Sequence, residues 1–196
     1  MSAAGELAVV VPIKSFGAAK ARLAEHLGID ARAELARTCA ARVLAAAAPH
    51  QVIVVCDDDE VAAWARAHGA AVVVAARPGL NEAAGAGRSA ARAAGFTRVL
   101  TVHSDLPRAE PLGTLVDPLD IPRTAVVVPD RHDDGTNALI VPTHGDFAYC
   151  YGPGSFIAHQ REAQHRGLAL RVVRRPDLAL DLDTLDDLRA AGLDLA

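Results

Sequence analysis

The sequence has few cysteines, and their positions disfavour two common stabilising devices. Cys39, Cys56 and Cys150 are the three cysteines among 196 residues, and no two of them have the CxxC spacing. An odd number of widely spaced cysteines disfavours both a disulfide framework and a zinc site. Such usage is typical of reduced thiols, so we expect a cytoplasmic protein.

The sequence also lacks the long apolar segments that membranes require. No apolar stretch reaches the roughly 18–20 residues that cross a bilayer, and the first residues do not resemble a secretory signal. The net charge of -4 disfavours binding to nucleic acid or anionic membrane through bulk charge. We therefore expect neither a nucleic acid nor a membrane as a partner, and any anion site has to be local.

Short Val-rich runs alternate with Ala-rich segments along the chain. The apolar runs predict strands, and the Ala-rich segments predict helices. The predicted strands cover residues 7–13, 52–56, 71–75, 98–103, 125–128, 138–141 and 169–173, and the predicted helices cover residues 18–27, 30–48, 58–68, 81–94, 155–166 and 184–190. This order indicates an α/β fold with a largely parallel sheet, helices on both faces and an antiparallel excursion near 125–150. We expect one domain spanning residues 1–196.

Cations gather after the first predicted strand, where ligands of parallel sheets bind. Pro12 ends the strand, and Lys14, Lys20 and Arg22 follow it around Gly17. We interpret these side chains as a local site for an anion such as a phosphate chain. A solvated loop is the alternative interpretation.

Carboxylates occur at two other predicted strand ends. Asp105 follows the strand over 98–103, within HSDLP, and a carboxylate at this point can hold a divalent cation over nucleotide phosphates. Asp181 and Asp183 alternate in LDLDTLDDL, which we place at the end of a late strand. One of these two is expected to face the same site as Asp105. The alternative for Asp105 is a helix or turn cap.

A second anion site is indicated by YGPGSF, residues 151–156. Gly152 and Gly154 would let backbone N–H groups converge ahead of a helix that begins at Ser155. Thr136 in DGTNAL could add a side-chain donor. The alternatives are a tight turn with a serine N-cap and a simple hairpin turn.

Several familiar motifs are absent or misplaced. The sequence has neither a G-x-S-x-G elbow nor a G-x-x-x-x-G-K-[ST] loop. GAGRSA, residues 85–90, fits the G-x-G-x-x-A dinucleotide pattern but falls inside a predicted helix. A dinucleotide-dependent oxidoreductase and a non-catalytic nucleotide-binding protein therefore stay as alternatives. The histidines show no metal spacing: His103 lies at a strand end, and His159 and His165 are expected on a helix surface.

Blocks in order from residue 8 to residue 190 together resemble one family. They read VVPIKSFGAAKARLA, GLNEA, HSDLP, DGTNALIV, YGPGSFIAHQREA and LDLDTLDDL, and they resemble the guanylyltransferase of coenzyme F-420 biosynthesis, the CofC/FbiD family. The resemblance implies a nucleotidyltransferase fold, a three-layer αβα arrangement around a mixed, mostly parallel sheet. It also implies transfer of GMP from GTP to a small phosphorylated carboxylic acid, with release of pyrophosphate.

The resemblance also implies roles for individual residues. The residues expected to bind the nucleotide are Pro12, Lys14, Lys20, Arg22, Leu80 and Asn81. Those expected to hold the acceptor are Thr136, Gly152 and Ser155, and those expected to hold Mg²⁺ are Asp105 and Asp183. The expected catalytic residues are Asp105, Lys20 and Arg22.

The resemblance implies two acceptors, of which we expect phosphoenolpyruvate ahead of 2-phospho-L-lactate. The sequence departs from the family pattern at His103, where an apolar or small residue is expected. This departure bears on substrate preference more than on the class of reaction. A homodimer is compatible with these expectations.

Overall fold

The computed structural model describes residues 6–193 as one seven-stranded sheet with helices packed against it. The strands are β1 Leu7–Pro12, β2 Gln51–Val55, β3 Ala71–Val73, β4 Arg98–Val102, β5 Thr124–Pro129, β6 Thr136–Pro142 and β7 Ala169–Val172. The helices are α1 Ile29–Ala46, α2 Asp59–Ala67, α3 Leu80–Ala93, α4 Ser155–His165, α5 Pro176–Ala179 and α6 Leu185–Ala191. Among the described residues, no helix combines the length and the apolar character needed to cross a bilayer.

The order of strands confirms the predicted fold class. The sheet runs β3-β2-β1-β4-β6-β5-β7. β1 is parallel to β2 and β4, β2 is parallel to β3, and β5 is parallel to β7. β6 is antiparallel to both of its neighbours, which is the excursion expected near residues 125–150. The fold is therefore α/β with a mixed, mostly parallel sheet.

The interior strand β1, between β2 and β4, shows why the strand sequences are apolar at every position. Val9 and Val11 of β1 pack with the core that α1, α2 and α5 cover. Ala8 and Val10 point to the other face, where α3 and α4 complete a second core. Each of the four side chains is fully buried, since both faces of the sheet are covered. The three layers expected from the resemblance are present.

The helix predicted over residues 18–27 is wrong. This segment is a loop that contains a single 3-10 turn, Ala21–Leu23. Lys20, directly before the turn, has a left-handed backbone with φ of 56°, which a right-handed helix cannot accommodate. The Ala-rich composition favours a helix. The segment instead takes the loop conformation in which the Lys20 side chain reaches the interior and pairs with Asp105.

The strand expected to end at Asp181 and Asp183 is also wrong. Residues 180–183 form an extended connection between α5 and α6 that is outside the sheet. Leu180 and Leu182 are buried, while the two aspartates between and after them are partly exposed. Alternating burial produced the strand-like pattern. The backbone of this connection instead bonds to the segment after β4, where Leu182 N–H donates to the Asp105 carbonyl at 3.1 Å.

The glycines of GAGRSA lie inside α3, as the sequence predicts. Gly87 is buried against the sheet, where the methyl group of an alanine would come within 2.3 Å of Val10 Cγ1 and 3.1 Å of Val55 Cγ2. Gly87 therefore permits close packing of α3 on β1 and β2. Because no strand-to-helix turn places these glycines against a ligand, the dinucleotide pattern does not form a phosphate-binding loop.

We predict that Gly87→Ala lowers the free energy of unfolding by about 1–3 kcal/mol, because an added methyl overfills this contact. Gly85→Ala on the same helix is the matched control: apart from its chain neighbours and the backbone of α3, no described atom lies within 4 Å of its added methyl. There the better helix propensity of alanine should stabilise by up to about 1 kcal/mol. Urea denaturation of both variants measures the difference, and equal effects would contradict the packing assignment.

Candidate active site

Most of the predicted site residues meet at one edge of the sheet. The parallel strands β1 and β4 are neighbours, so the segments that follow their carboxyl ends lie side by side. Between them is a cleft of about 390 Å³. The residues that line it include Pro12, Lys14, Lys20, Leu80, Asp105 and Asp183.

The floor of this cleft carries three carboxylates. Oxygens of Asp105, Asp181 and Asp183 lie within 4.8 Å of one another. The resemblance implied only Asp105 and Asp183 as metal ligands, and the structure brings Asp181 to the same place. The alternation of leucine and aspartate directs both acidic side chains away from the core and towards Asp105.

A single buried ammonium group lies against the carboxylates. Lys20 Nζ is 2.7 Å from Asp105 Oδ2 and 3.6 Å from Asp183 Oδ1, and the Lys20 side chain is only 5% exposed. Burial by itself would lower the pKa of Lys20, but the Asp105 carboxylate outweighs it and raises that pKa. Burial would likewise raise the pKa of Asp105, yet the Lys20 charge brings it below its usual range. Both groups are therefore ionised at neutral pH.

The negative charge of the cluster exceeds what Lys20 can balance. Asp105 Oδ1 is buried and has no hydrogen-bond partner within residues 6–193. Burial, followed by the charge of Asp105, raises the pKa of Asp181. A buried carboxylate oxygen with an unused lone pair, flanked by two further carboxylates, is a donor set that suits a hard divalent cation such as Mg²⁺.

Arg22 approaches the same cluster from outside. Its Nη1 lies 3.4 Å from Asp183 Oδ2, and its side chain is 74% exposed. Lys14, which follows β1, is exposed and lines the same cleft. The structure therefore separates one buried cation, Lys20, from two solvent-facing ones, of which Lys14 lines the cleft and Arg22 contacts Asp183 from outside it.

A second cavity continues from the Pro12–Lys14 segment towards the start of α3. It is lined by Cys56, Asp57, Arg77 and Leu80, among others. Leu80, one of the two residues expected near a nucleoside, contributes to both cavities. The adjoining cavities give room for an elongated ligand that extends from the carboxylates past Leu80.

Asn81, the other expected nucleoside residue, makes contacts that the sequence did not predict. Its Oδ1 accepts a hydrogen bond from the backbone N–H of Tyr151 at 2.7 Å, and its Nδ2 donates to the Tyr151 carbonyl at 3.3 Å. Asn81 thus fastens the start of α3 to the loop that precedes α4.

The residues expected to hold an acceptor lie at the same edge of the sheet. Thr136 begins β6 beside the end of β4, where the His103 N–H donates to the Asn137 carbonyl at 3.0 Å. Thr136 Oγ1 is 3.5 Å from Ser155 Oγ, and both residues are buried. Gly152, with φ of 131°, lies in the turn before α4.

Backbone N–H groups at the amino end of α4 already have hydrogen-bond acceptors within the protein. Gly154 N–H lies 3.2 Å from both oxygens of the Asp134 carboxylate, and Ser155 N–H donates to the Gly152 carbonyl at 3.0 Å. Gly154, with φ of 72°, occupies the N-cap position, so no side chain caps the helix there. Ser155 is the first helical residue. A ligand at this turn would therefore meet the Thr136 and Ser155 hydroxyls together with an acidic neighbour, Asp134.

His159 was expected on a helix surface and is instead fully buried, so that prediction is wrong, whereas His165 is exposed as expected. Phe156, His159 and Ala163 follow at helical spacing and form the buried face of α4. The apolar residues on either side of His159 at this spacing were the available signal. The imidazole is accepted in the interior because both of its nitrogens have partners.

Comparison with known proteins identifies the family of this chain. The family described as "Guanylyl transferase CofC like" matches residues 7–193. The phosphoenolpyruvate guanylyltransferases of Sphaerobacter thermophilus and Rubrobacter xylanophilus are 39% and 38% identical to this chain, covering 91% of it in each case and 89% and 90% of their own lengths. The 3-phospho-D-glycerate guanylyltransferase of Colwellia psychrerythraea is 30% identical, covering 94% of this chain and 90% of its own length.

Solved structures show the same fold at lower sequence identity. A protein from Desulfovibrio desulfuricans G20, described as a nucleotide-diphospho-sugar transferase, superimposes with a TM-score of 0.75 at 18% identity, covering 95% of this chain and 86% of that chain. The fold is thus that of nucleotide-diphospho-sugar transferases, as the resemblance implied. Because the family match spans most of its length, this chain belongs to the guanylyl transferase CofC-like family and is a nucleotidyltransferase.

Proposed function

We propose that this protein transfers GMP from GTP to the phosphate group of phosphoenolpyruvate, with release of pyrophosphate, in the biosynthesis of coenzyme F-420. The observation that carries the proposal is the juxtaposition of Lys20 with three carboxylates at the end of β4. Such a set suits a nucleoside triphosphate and its divalent cation. The names of the relatives from Sphaerobacter and Rubrobacter support the choice of acceptor.

The proposed reaction is an in-line displacement at the α-phosphorus of GTP. An oxygen of the acceptor phosphate forms the new P–O bond, and the bond between the α-phosphorus and the oxygen that bridges to the β-phosphate breaks. That oxygen leaves with pyrophosphate. No protein nucleophile is required, so the protein contributes positioning and neutralisation of charge.

We assign the three cations to different phosphates of GTP according to how exposed each side chain is. Lys20 is buried and already held by Asp105 and Asp183, so its ammonium has a fixed position beside the reacting phosphate. Lys14 and Arg22 face solvent and suit the outer phosphates of the triphosphate. Pro12 lines both cavities between these groups.

Asp105 and Asp183, joined by Asp181, would hold Mg²⁺ through their carboxylate oxygens. When bound there, the ion would neutralise negative charge on the phosphate oxygens during transfer. The ammonium of Lys20 donates to Asp105 Oδ2. Oδ1 of the same carboxylate has no hydrogen-bond partner among the described residues.

The two substrates would enter from opposite sides of the carboxylates. We place guanosine in the second cavity, which Leu80 lines. Asn81 would act at this cavity by holding the Tyr151 backbone. Thr136, Gly152 and Ser155 would bind the acceptor's phosphate and carboxylate at the β6–α4 edge. The alternative of a dinucleotide-dependent oxidoreductase is not favoured, because the glycines of its pattern lie within α3.

The first prediction of the proposed function concerns its products. With GTP, Mg²⁺ and phosphoenolpyruvate, the protein is expected to release pyrophosphate and form a product heavier than phosphoenolpyruvate by one GMP unit. Mass spectrometry of a reaction with equal amounts of phosphoenolpyruvate, 2-phospho-L-lactate and 3-phospho-D-glycerate measures preference. Phosphoenolpyruvate and 2-phospho-L-lactate differ little in shape, so we expect a graded preference of about 1–3 kcal/mol between them.

Two outcomes would contradict different parts of this proposal. A dominant product from another phosphorylated acid would overturn the acceptor and leave guanylyl transfer standing. Binding of GTP without pyrophosphate release from any acceptor would favour a non-catalytic nucleotide-binding protein.

The second prediction concerns the metal. Asp105→Asn and Asp181→Asn are each expected to weaken Mn²⁺ binding at least about tenfold, because each removes a charged oxygen ligand. Asp105→Asn should also abolish pyrophosphate release. Asp186→Asn is the control, because Asp186 is exposed on α6 and pairs with Arg189. Calorimetric titration measures binding, and unchanged Mn²⁺ affinity in a folded Asp105→Asn variant would refute the metal assignment.

The third prediction separates the buried from the exposed cation. Lys20→Ala is expected to lower kcat/KM for GTP by at least about a hundredfold, because it removes a fixed charge and leaves Asp105 unpaired. Arg22→Ala should raise the KM for GTP by only a few-fold, since an exposed pair contributes about 0–1 kcal/mol. Arg92→Ala, at an exposed position of α3, is the control. Steady-state kinetics in both substrates decides: a raised KM for the acceptor with unchanged GTP dependence would reverse the two subsites.

A further inference from the structure

The interior beneath the proposed acceptor site contains a histidine whose hydrogen bonds fix its tautomer. His159 is fully buried on the inner face of α4. Its Nε2 lies 2.9 Å from the backbone nitrogen of Cys150, and its Nδ1 lies 3.0 Å from Thr136 Oγ1. Neither partner belongs to α4, so the ring joins three separate parts of the chain.

Only one arrangement of protons satisfies these contacts. A backbone N–H can only donate, so Nε2 must present its lone pair to Cys150. The hydrogen of the neutral ring is then on Nδ1, which donates to Thr136 Oγ1. Burial, with a further contribution from His103, lowers the pKa of His159 to about 4. The neutral ring is therefore the form present at pH 7.

The tautomer has a consequence for Thr136. Its oxygen accepts the His159 hydrogen, so the hydroxyl's own hydrogen has to be donated elsewhere. Ser155 Oγ is 3.5 Å away, which is long for a hydrogen bond between two hydroxyl groups. The Thr136 hydrogen is thus weakly held inside the protein. Because Thr136 is only 1% exposed, its strong acceptor would have to be a ligand oxygen that reaches this buried hydroxyl.

The position of the imidazole ring is fixed by its aromatic neighbours. The Tyr151 ring meets it edge-on at a centroid distance of 4.7 Å, and the Phe147 ring stacks with it at 6.3 Å. Asn81 holds the backbone of Tyr151 from the other side. The loop of Cys150 and Tyr151 is therefore bonded to α4 on the acceptor side and to α3 on the nucleoside side.

We propose that His159 is a positioning residue for the acceptor: by donating from Nδ1 to Thr136, it commits the Thr136 hydroxyl to donate to an anionic oxygen of the bound phosphorylated acid. The inference rests on the proposed function, because the acceptor site at Thr136 is itself part of that proposal. His159 touches neither substrate and acts through Thr136 alone.

Two substitutions divide the roles of the ring nitrogens. In His159→Gln, the amide oxygen can take the place of Nε2 and accept from Cys150, but the donor to Thr136 is lost. In His159→Asn, the amide nitrogen can take the place of Nδ1 and donate to Thr136, but the Cys150 N–H loses its acceptor. The first variant keeps the structural bond, and the second keeps the bond that the proposal requires.

We expect His159→Gln to raise the KM for phosphoenolpyruvate at least about tenfold, as for loss of a hydrogen bond to a charged group, with the KM for GTP unchanged. His159→Asn should keep the KM for phosphoenolpyruvate within about threefold of the original while lowering Tm. Adding His159→Gln to Thr136→Val should cost nothing beyond Thr136→Val alone, because the relay is already cut. A merely structural histidine would give KM changes that follow Tm in both variants, and that result would overturn the inference.

A second measurement does not depend on turnover. The ¹⁵N chemical shifts of His159, assigned by their absence in His159→Gln, report which ring nitrogen carries the hydrogen. We expect hydrogen on Nδ1, and hydrogen on Nε2 would overturn the inference whatever the enzyme transfers. Failure of the proposed function would look different: the Nδ1 tautomer would be present, but no phosphorylated acid would yield pyrophosphate.

Discussion

The concentration of negative charge at the end of β4 is the constraint on which the rest of the site depends. Three carboxylates with oxygens within 4.8 Å of one another repel each other. Within residues 6–193, the one ammonium in hydrogen-bond contact with them is that of Lys20, 2.7 Å from Asp105. Such a cluster is stable only if cations reach it. The left-handed backbone at Lys20 directs the side chain of a loop residue into the interior and supplies the first of these cations. The remaining negative charge would attract a divalent ion, and that ion could in turn bind the phosphates of a nucleoside triphosphate.

The acidic segment comes from the far end of the chain, and polar contacts of the interior hold it in place. Asn137 donates to the Leu178 carbonyl at 2.9 Å just before this segment. Asp187 then accepts from the backbone of Asp183 and Thr184 and pairs with Arg131 at 2.6 Å. The side chains that make these bonds lie on β6, in the β5–β6 hairpin and in the first turn of α6. The antiparallel part of the sheet therefore supports both the acidic segment and the residues proposed to bind the acceptor.

Much of this arrangement follows from the sequence by two physical rules. Apolar runs buried on both faces predict the parallel strands, and the rule that ligands bind beyond strand carboxyl ends locates Lys20 and Asp105. The errors have specific causes. Alanine-rich composition cannot report the positive φ of Lys20, which depends on a partner 85 residues away. An isolated histidine such as His159 suggests an exposed position, because its burial depends on hydrogen bonds to Cys150 and Thr136 that only the tertiary structure creates.

We propose that Asp105, Asp181 and Asp183 form one divalent-cation site beside Lys20. Crystals grown with GTP and Mn²⁺ test it most directly, because anomalous scattering locates manganese independently of the protein chain. We expect a manganese peak about 2.1 Å from a carboxylate oxygen of Asp105. The same ion should also contact at least one of the two later aspartates and a phosphate oxygen of GTP. GTP bound in the cleft with manganese at other carboxylates, and none at Asp105, would contradict it.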